Sequence, residues 1–373
     1  MLLGFRDHGR LRLLFIVFIV ILTGGICLTY NWQQEEDAEW MSQPREPSVE
    51  PLASIRVDDV LLALPRPTPG RSIFFHETRS YDAKNKEYNH PLHLNARQAC
   101  AIESAALHNP NSQVFVLFLH RKYALTGVHS NEGKNSTEQP LFDAVLSYSN
   151  VHLRRVNLWR YAAGTPIEEW LKNGQLFRSR FLVSHISDFL RFVTLFRYGG
   201  LYLDLDVVVL KSMEDVPPNY TGAEFEDVLS SAVINLAPTG VGHKIAKSLL
   251  YDFQHNFNGQ HWGNNGPGVI TRVAQQICST KNISVLLENR KRCLGFQVFD
   301  CTAFNPVPSE NWRQFFEPDD LEQTMALTKY SYVVHVWNKQ SNKVPIKVGS
   351  SSAYAKLAER NCPRAYHAAG EYF

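Results

Sequence analysis

Short apolar runs and helical repeats alternate along the middle of the chain. Residues 72–76 and 114–119 are apolar runs of strand length, and the second is uninterrupted, as expected for a strand covered on both faces. Between them, residues 95–108 place Ala and Leu at helical spacing and stop at Asn109-Pro110. The alternation continues with predicted elements at 142–148 (helix), 151–158 (strand) and 167–172 (helix). This pattern predicts an α/β domain with a mainly parallel sheet.

Residues 184–211 combine a helix, a turn and an acidic strand. The apolar positions of the helix repeat at helical spacing: Phe189, Phe192, Val193 and Phe196. Gly199-Gly200 is a natural helix terminus. A strand is then predicted over residues 201–209, with Asp204 and Asp206 on one side and apolar residues on the other.

Two aspartates in an apolar strand need compensation, because buried carboxylates cannot both stay ionised alone. A divalent cation supplies it economically, since hard oxygen ligands two residues apart can hold Mn²⁺ or Mg²⁺ while diphosphate oxygens complete the shell. The simpler alternative is a strand end with two solvated carboxylates at Asp204 and Asp206. An Asp-X-Asp triplet alone does not separate the two interpretations.

The first 71 residues have a different character. Residues 13–30 carry no charge, and basic residues precede them while acidic residues follow. This predicts a transmembrane signal anchor with residues 1–12 in the cytoplasm and the rest lumenal. A cleaved signal peptide is the alternative, but residues 29–32 are a poor cleavage site. Acidic and then Pro-rich residues 31–71 predict a flexible stem, which leaves 72–373 as the catalytic domain.

Sequons and cysteines agree with a lumenal location. Asn135, Asn219 and Asn282 are predicted glycosylation sites. Five cysteines follow the predicted anchor, which predicts two disulfides and one remaining thiol, with the pairing open: Cys100, Cys278, Cys293, Cys301 and Cys362. A formal charge of +2 without a basic stripe gives no indication of nucleic-acid binding.

A joint pattern carries more information than the Asp-X-Asp triplet. Ser187-Asp188-X-X-Arg191, a Gly-Gly turn and Tyr202-Leu-Asp-X-Asp206 follow in order. This segment resembles the Asp-X-Asp glycosyltransferases of the GT-A fold that include glycosphingolipid α-1,4-galactosyltransferases, and α-1,4-N-acetylglucosaminyltransferases. Four further segments resemble the same globotriaosylceramide-synthase-like group, which has insect relatives that use N-acetylgalactosamine: residues 73–78, 97–104, 262–272 and 332–339.

The resemblance implies roles around the nucleotide. Asp204 and Asp206 become the catalytic metal and diphosphate residues, with direct metal binding at Asp206 and metal or ribose binding at Asp204. His335 becomes either a third metal ligand or a core histidine. Asp188 and Arg191 become donor-sugar and phosphate residues, against the alternative of a structural ion pair within the helix.

Other substrate-binding roles follow from the same resemblance. Trp337 and Asn338 would contact the nucleotide, with Trp337 as a plain core residue as the alternative. The loop of Asn265, Gly266 and Pro267 would lie where acceptor and donor meet. Asn264-Asn265 departs from the residue pair of the galactosyl enzymes, so the resemblance leaves donor and acceptor preference open. A last set is expected on the uridine side: His76, Glu77 and Thr78.

The resemblance therefore implies a retaining, Mn²⁺-dependent enzyme of the Golgi membrane. It would transfer Gal or GalNAc from UDP-Gal or UDP-GalNAc to a glycosphingolipid in an α-1,4 linkage. The alternatives are N-acetylglucosamine transfer to O-glycans and a catalytically silent carbohydrate-binding homologue. A double displacement needs a carboxylate nucleophile, and no spacing singles out Glu224, Glu226 or Asp227. A front-face route needs none.

Overall fold

The computed structural model describes residues 57–79, 92–119, 139–225, 227–288 and 293–373. Nine strands are described: β1 Ser72–Glu77, β2 Gln113–Leu119, β3 Val151–Val156, β4 Gly200–Leu203, β5 Val207–Val209, β6 Tyr220–Ala223, β7 Leu229–Leu236, β8 Gln297–Phe299 and β9 Val333–His335. The described α-helices are α1 Ala96–His108, α2 Gln139–Leu146, α3 Leu158–Ala162, α4 Glu168–Lys172, α5 Leu182–Tyr198, α6 Gly240–His255, α7 Pro267–Cys278, α8 Ile283–Glu288, α9 Cys301–Phe304, α10 Leu321–Thr328, α11 Asn338–Ser341, α12 Ala353–Asn361 and α13 Pro363–Ala368.

Seven strands form a mixed sheet in the order β3-β2-β1-β4-β7-β6-β8. Neighbours among β3, β2, β1 and β4 run parallel, and β7 then pairs antiparallel with β4. Strands β5 and β9 form a separate antiparallel ribbon. The mixed α/β sheet agrees with the predicted GT-A-like fold.

Both faces of the sheet are covered, which explains the continuous apolar runs. Phe74 of β1 belongs to a core cluster that includes Phe189 of α5, whereas the adjacent Phe75 belongs to a second cluster with Ile102 of α1. Successive side chains of a strand point to opposite faces, so both faces are apolar at Phe74 and Phe75. The predicted strands at residues 72–76, 114–119 and 151–158 are confirmed, with small shifts of their ends.

The turn from α5 into β4 needs its two glycines. Gly199 and Gly200 have φ angles of 60° and 84°, a region that side chains with a Cβ rarely adopt. A Cβ on Gly200 would also collide with the carbonyl oxygen of Ser72. Glycine here lets β4 start directly beside β1, which brings the residues after β4 to the carboxyl end of the parallel strands.

The acidic segment is not one continuous strand, contrary to the sequence prediction for residues 201–209. Strand β4 ends at Leu203, and the N–H of Val207 donates to the carbonyl of Asp204 at 3.1 Å, which closes a turn. The chain then pairs with β9 as β5 instead of extending β4. The two aspartates therefore lie in a turn between strands, where neither is packed inside a sheet.

The packed part of the chain begins before the predicted boundary at Ser72. Asp59 forms a parallel bridge with Arg155 of the edge strand β3, and Val57 and Val60 are buried. The predicted cytoplasmic tail, anchor and first part of the stem lie outside the described residues, as do Asn135 and Glu226. Among the helices that the structure describes, none has the length and apolar character to cross a bilayer.

Two disulfides form among the described cysteines. Cys100 of α1 pairs with Cys362, and Cys278 pairs with Cys293. Cys301 is a free, exposed thiol. The expected count of two bridges and one thiol is confirmed, and the structure supplies the pairing that the sequence left open.

Candidate active site

A cleft of about 520 Å³ opens at the carboxyl ends of β1 and β4. This is the edge at which open α/β sheets place their ligands, and the volume lies within the range of small-molecule sites. Most of the predicted site residues line it: His76, Glu77, Thr78, Asp188, Arg191, Asp204, Asp206, Pro267, His335, Trp337 and Asn338. The structure thus brings together residues that are up to 262 positions apart in the chain (76 to 338).

Asp204 is held by a buried cation and a phenol. Its Oδ1 accepts from Arg191 Nη2 at 2.8 Å and from the hydroxyl of Tyr202 at 2.6 Å. The guanidinium of Arg191 also lies over the Tyr202 ring, 4.5 Å from its centre. Burial opposes the charge on Arg191, but Asp204, Tyr202 and Asp188 together raise its pKa. Arg191 therefore stays charged and fixes one oxygen of Asp204.

Asp206 is held by the opposite wall of the cleft. Its Oδ1 lies 3.1 Å from His335 Nε2, and its Oδ2 accepts the N–H of Asn338 at 2.8 Å. Val207 is the register partner of His335 in the β5–β9 ribbon, so the ribbon sets this contact. Burial alone would raise the pKa of Asp206, but His335 and the Asn338 N–H lower it. Burial likewise opposes protonation of His335, and Asp206 nevertheless raises its pKa to about 9.

The donor set fits a divalent cation. Asp204, Asp206 and His335 each offer one ligand atom within 4.8 Å of the others, which groups three candidate ligands for one cation at one place. Nδ1 of His335 is buried without a hydrogen-bond partner among the described residues. Two carboxylates and an imidazole suit Mn²⁺. A ligand role for all three residues agrees with this geometry.

Asp188 and Arg191 form an ion pair at 3.0 Å, and the pair is also part of the site. Arg191 Nη1 donates in addition to the hydroxyl of Ser231. Burial raises the pKa of Asp188 to about 7 against the opposing effect of Arg191. Gly266 packs directly on Asp188, and a Cβ there would collide with the carboxylate. The ion-pair interpretation is therefore confirmed, and Arg191 also joins Asp188 to Asp204, while the donor-sugar and phosphate role stays a prediction.

Trp337 and Asn338 lie where the ribbon ends. Trp337 is 5% exposed, and its Nε1–H donates to the carbonyl of Val307 at 2.9 Å. Its ring centre lies 4.1 Å from that of His335. Asn338 contributes its backbone N–H to Asp206 rather than its amide. Trp337 thus supports the imidazole and borders the cleft at the same time.

The residues predicted on the uridine side are held mainly by the protein itself. His76 Nε2 lies 3.0 Å from Thr194 Oγ1, and burial lowers the pKa of His76 to about 3, so the ring is neutral. Glu77 accepts from Gln98 and from the N–H of Arg79. Thr78 donates to the carbonyl of Val183 at 3.2 Å. All three line the cleft, but their side chains already have internal partners.

Asn265 does not fit its predicted substrate role. It is fully buried, its Oδ1 accepts the N–H of Asn258 at 2.9 Å, and its Nδ2 donates to the carbonyl of Asn258 at 2.8 Å. The amide therefore closes a loop within the protein and has no face towards the cleft. Of its two neighbours, Gly266 touches the site through Asp188, and Pro267 lines the cleft.

Sequence reasoning missed several lining residues. Tyr202 and Ser231 complete the hydrogen bonds around Arg191, and Trp262 and Lys339 border the cleft opposite them. Glu224 also lines the cleft, and burial raises its pKa, whereas Asp227 is exposed and does not line it. Alternation along the predicted strand placed Tyr202 on the same side as Asp204 and Asp206, but it did not reveal the hydrogen bonds of Tyr202 with Arg191 and Asp204.

The remaining described sequons differ in exposure. Asn282 is exposed, and its Oδ1 accepts the N–H of Ser284 at 2.9 Å. Asn219 is half-buried with a φ of 71°, and its Oδ1 accepts the N–H of Ala237. Glycosylation at these positions stays a prediction.

Comparisons with known proteins point in one direction. Residues 95–223 match the glycosyltransferase sugar-binding region containing the DXD motif, and residues 238–369 match the alpha 1,4-glycosyltransferase conserved region. Mouse lactosylceramide 4-alpha-galactosyltransferase is 32% identical over 83% of this chain and 79% of its own. Human alpha-1,4-N-acetylglucosaminyltransferase is 27% identical over 79% of this chain and 80% of its own. The solved PaToxG glycosyltransferase superimposes with a TM-score of 0.39 at 14% identity, over 72% of this chain and 90% of its own.

Proposed function

Because the chain belongs to the α-1,4-glycosyltransferase family, we propose that it transfers Gal or GalNAc from a UDP-sugar to the terminal sugar of a glycosphingolipid. The observation that carries the proposal is the cluster of Asp204, Asp206 and His335 that lines the cleft. The similarity of the chain to mouse lactosylceramide 4-alpha-galactosyltransferase supports a glycosphingolipid as the acceptor.

The residues of the cleft can hold a nucleotide sugar by its charged part. Asp204, Asp206 and His335 would bind Mn²⁺, which supplies charge neutralisation at the departing diphosphate. Arg191 and Tyr202 fix Oδ1 of Asp204 and leave its other oxygen as the ligand atom. The site is thus pre-organised by fixed hydrogen bonds before any substrate arrives.

Asp188 is placed to accept hydrogen bonds from donor-sugar hydroxyls. Its carboxylate borders the cleft beside Arg191. The loop of Asn265, Gly266 and Pro267 packs against this carboxylate at Gly266, where a side chain would not fit. Retention of the anomeric configuration requires either a carboxylate nucleophile on the face of the donor sugar opposite the leaving diphosphate or a front-face reaction. Among the described carboxylates that follow the Asp-X-Asp turn, Glu224 lines the cleft and is the residue to test for the first route.

The compartment belongs to the same proposal. Residues 13–30 would anchor the chain in the Golgi membrane, with the catalytic domain in the lumen. Two disulfides and an exposed sequon at Asn282 support an oxidising, glycosylating compartment.

A panel of donors and acceptors tests the proposal. UDP-Gal, UDP-GalNAc and UDP-GlcNAc are each incubated with lactosylceramide, an insect-type glycolipid and an O-glycan acceptor, with Mn²⁺ or with a chelator. We expect one galactosyl or N-acetylgalactosaminyl product that linkage analysis identifies as α-1,4, and no product with the chelator. Transfer of N-acetylglucosamine to the O-glycan alone would replace the glycolipid assignment. Absence of transfer from all three donors would reject the enzymatic assignment.

A further inference from the structure

A tryptophan and a lysine meet across the mouth of the cleft. The ammonium of Lys339, in α11, lies 3.4 Å from the centre of the Trp262 ring, and both residues line the cleft. Trp262 begins the short 3₁₀ turn Trp262–Asn264 that precedes α7. The contact therefore connects the segment that carries His335 to the loop that precedes Gly266-Pro267.

The indole is held in place but remains open to solvent. Its Nε1–H donates to the hydroxyl of Ser184 at 3.3 Å, and the Trp262 carbonyl accepts from His185 Nε2 at 3.3 Å. Trp262 is nevertheless 40% exposed. A large aromatic side chain fixed by its edge, with a face exposed at a cleft, is typical of a binding surface. Its flat face suits the C–H side of a hexose.

Lys339 reaches this face from the nucleotide side of the cleft. It follows Asn338, whose N–H holds Asp206, so its stem starts beside the proposed diphosphate position. Partial burial lowers the pKa of Lys339, while the negative charge of Glu224 opposes this effect. A cation–π contact at an exposed site contributes only about 0.5–1 kcal/mol. A hydrogen bond from an ammonium to a phosphate oxygen is stronger, so a bound diphosphate competes for Lys339.

We propose that the face of Trp262 binds the sugar of the acceptor, and that Lys339 covers this face until a nucleotide diphosphate draws the ammonium away. The inference rests on the proposed function, since it assumes a UDP-sugar in the cleft. Trp262 then acts on the acceptor and Lys339 acts on the donor. Donor binding creates the acceptor site, so the two substrates add in a fixed order.

Trp262→Ala in the purified full chain tests whether the face of the Trp262 ring binds the acceptor sugar. With a soluble lactoside as acceptor, we expect the acceptor KM to rise about tenfold, which corresponds to about 1.4 kcal/mol. The donor KM should stay within about twofold, because Trp262 does not reach the metal ligands. Trp262→Phe retains a flat face and should keep most of the affinity. An unchanged acceptor KM in Trp262→Ala, or an equal rise in the donor KM, would overturn this binding role.

Tryptophan fluorescence tests the exchange of Lys339 without any turnover. Addition of UDP with Mn²⁺ should change the emission of the wild type, because the ammonium leaves the indole. Trp262→Phe and Lys339→Met should both lose the Trp262 part of this change, and the part that remains comes from Trp337, whose ring centre lies 4.1 Å from that of His335. Trp312→Phe is the matched control, since Trp312 also has a cation beside its ring, Arg313 at 4.7 Å, but does not line the cleft. Persistence of the full wild-type change in Trp262→Phe would refute the exchange.

Calorimetry of the same samples separates this inference from the proposed function. Binding of UDP with Mn²⁺ to the wild type, together with an unaltered acceptor KM in Trp262→Ala, removes the inference and leaves the proposed function intact. Failure of UDP to bind the wild type with Mn²⁺ removes both. In Lys339→Met, lactoside should bind without UDP, whereas the wild type should need UDP first; lactoside binding to the UDP-free wild type would refute the covering role.

Discussion

At the scale of single residues, both aspartates of the acidic turn, the turn between β4 and β5 that carries Asp204 and Asp206, already have partners within the protein. Arg191 bonds to Asp204, and His335 bonds to Asp206. From the sequence alone, the negative charges of both aspartates were expected to be balanced by a bound cation. In the structure, Arg191 and His335 neutralise part of the negative charge of the two aspartates, which keeps the site folded. A cation can still replace the proton on the imidazole of His335.

Asp206→Asn should abolish sugar transfer and leave the fold intact. The substitution keeps the shape but removes the charge that faces both His335 and a cation, so we expect a loss of at least about 100-fold in turnover. Mn²⁺-dependent binding of UDP, measured by calorimetry, should fall with it. Asp227→Asn is the matched control, because Asp227 is exposed and lies outside the cleft. Turnover at the wild-type level in Asp206→Asn would contradict the ligand role.

Asp188 predicts an unusual dependence of stability on pH. Its pKa rises from an ordinary 3.8 to about 7 in the folded protein. Between these values the folded state binds more protons than the unfolded state, so stability contributed by this group falls as pH increases. Relative to Asp188→Asn, the wild type should lose up to about 1.4 kcal/mol per pH unit in this window. Urea unfolding of both proteins from pH 4 to 8 measures the difference, and parallel curves would show that the pKa is not raised.

Sequence reasoning located some of these residues but not their connections. The spacing of Asp188 and Arg191 placed both on one face of the helix, and the ion pair that was the alternative to a substrate role is confirmed at 3.0 Å. The contact of Arg191 with Asp204 depends on the direction in which the Gly199-Gly200 turn leads the chain into β4. The local sequence pattern does not show that direction. Asn265 was assigned to the substrate because of its motif, whereas its amide is used by Asn258, which the motif does not include.

At the scale of elements, α1 holds the segment after β9. The buried guanidinium of Arg97 donates to the carbonyls of Ser341 and Val344, and its Nη1 lies 3.5 Å from Asn338 Oδ1. It also lies over the rings of Phe316 and Tyr354. Because Asn338 in turn donates to Asp206, one side chain of the first helix positions a residue of the acidic turn.

Arg97→Lys should therefore weaken the site from outside the cleft. Lysine keeps the charge but cannot reach two carbonyls and a side chain at once, so we expect a loss of about 2–4 kcal/mol in unfolding free energy. Mn²⁺-dependent UDP affinity should fall by about tenfold, which corresponds to about 1.4 kcal/mol. Arg360→Lys, an exposed change on α12, is the control. Unchanged UDP affinity in a destabilised Arg97→Lys would limit Arg97 to a role in folding.

The element boundaries show where local patterns end. Residues 201–207 alternate as a strand should and three valines follow from residue 207, yet β4 stops at Leu203 because β5 pairs with β9, more than 120 positions later in the chain. The hydrophobic periodicity and the composition of this segment would be the same for one continuous strand and for two strands separated by a turn. Long-range pairing decides whether an acidic pair lies within a sheet or in a turn, and a single sequence does not reveal that choice.

At the scale of the whole molecule, α1 is also fastened to the C-terminal helices. The Cys100–Cys362 bridge spans 262 residues, and Glu103 accepts the N–H groups of Arg364 and Ala365 nearby. The Cys278–Cys293 bridge spans only 15 residues. The sequence supplied the cysteines but not this arrangement, since the pairing depends on where both ends of the domain lie in the fold.

The two bridges should differ in their effect on stability. In the chain-entropy account, closing the long loop contributes about 5 kcal/mol and closing the short one about 3 kcal/mol. The double variants Cys100→Ser/Cys362→Ser and Cys278→Ser/Cys293→Ser serve as controls for each other in urea unfolding. A larger loss from the short bridge would show that local packing outweighs chain entropy here.

The three proposed metal ligands are divided between distant parts of the polypeptide. Asp204 and Asp206 lie in the stretch that ends at residue 223, whereas His335 lies in the stretch from 238 to 369, and Val207 must pair with His335 to bring them together. A nascent chain released from the ribosome before residue 335 therefore lacks a complete ligand set. Premature termination or a recombination break between the two stretches leaves a fragment that keeps the acidic motif but lacks the imidazole needed to complete the site.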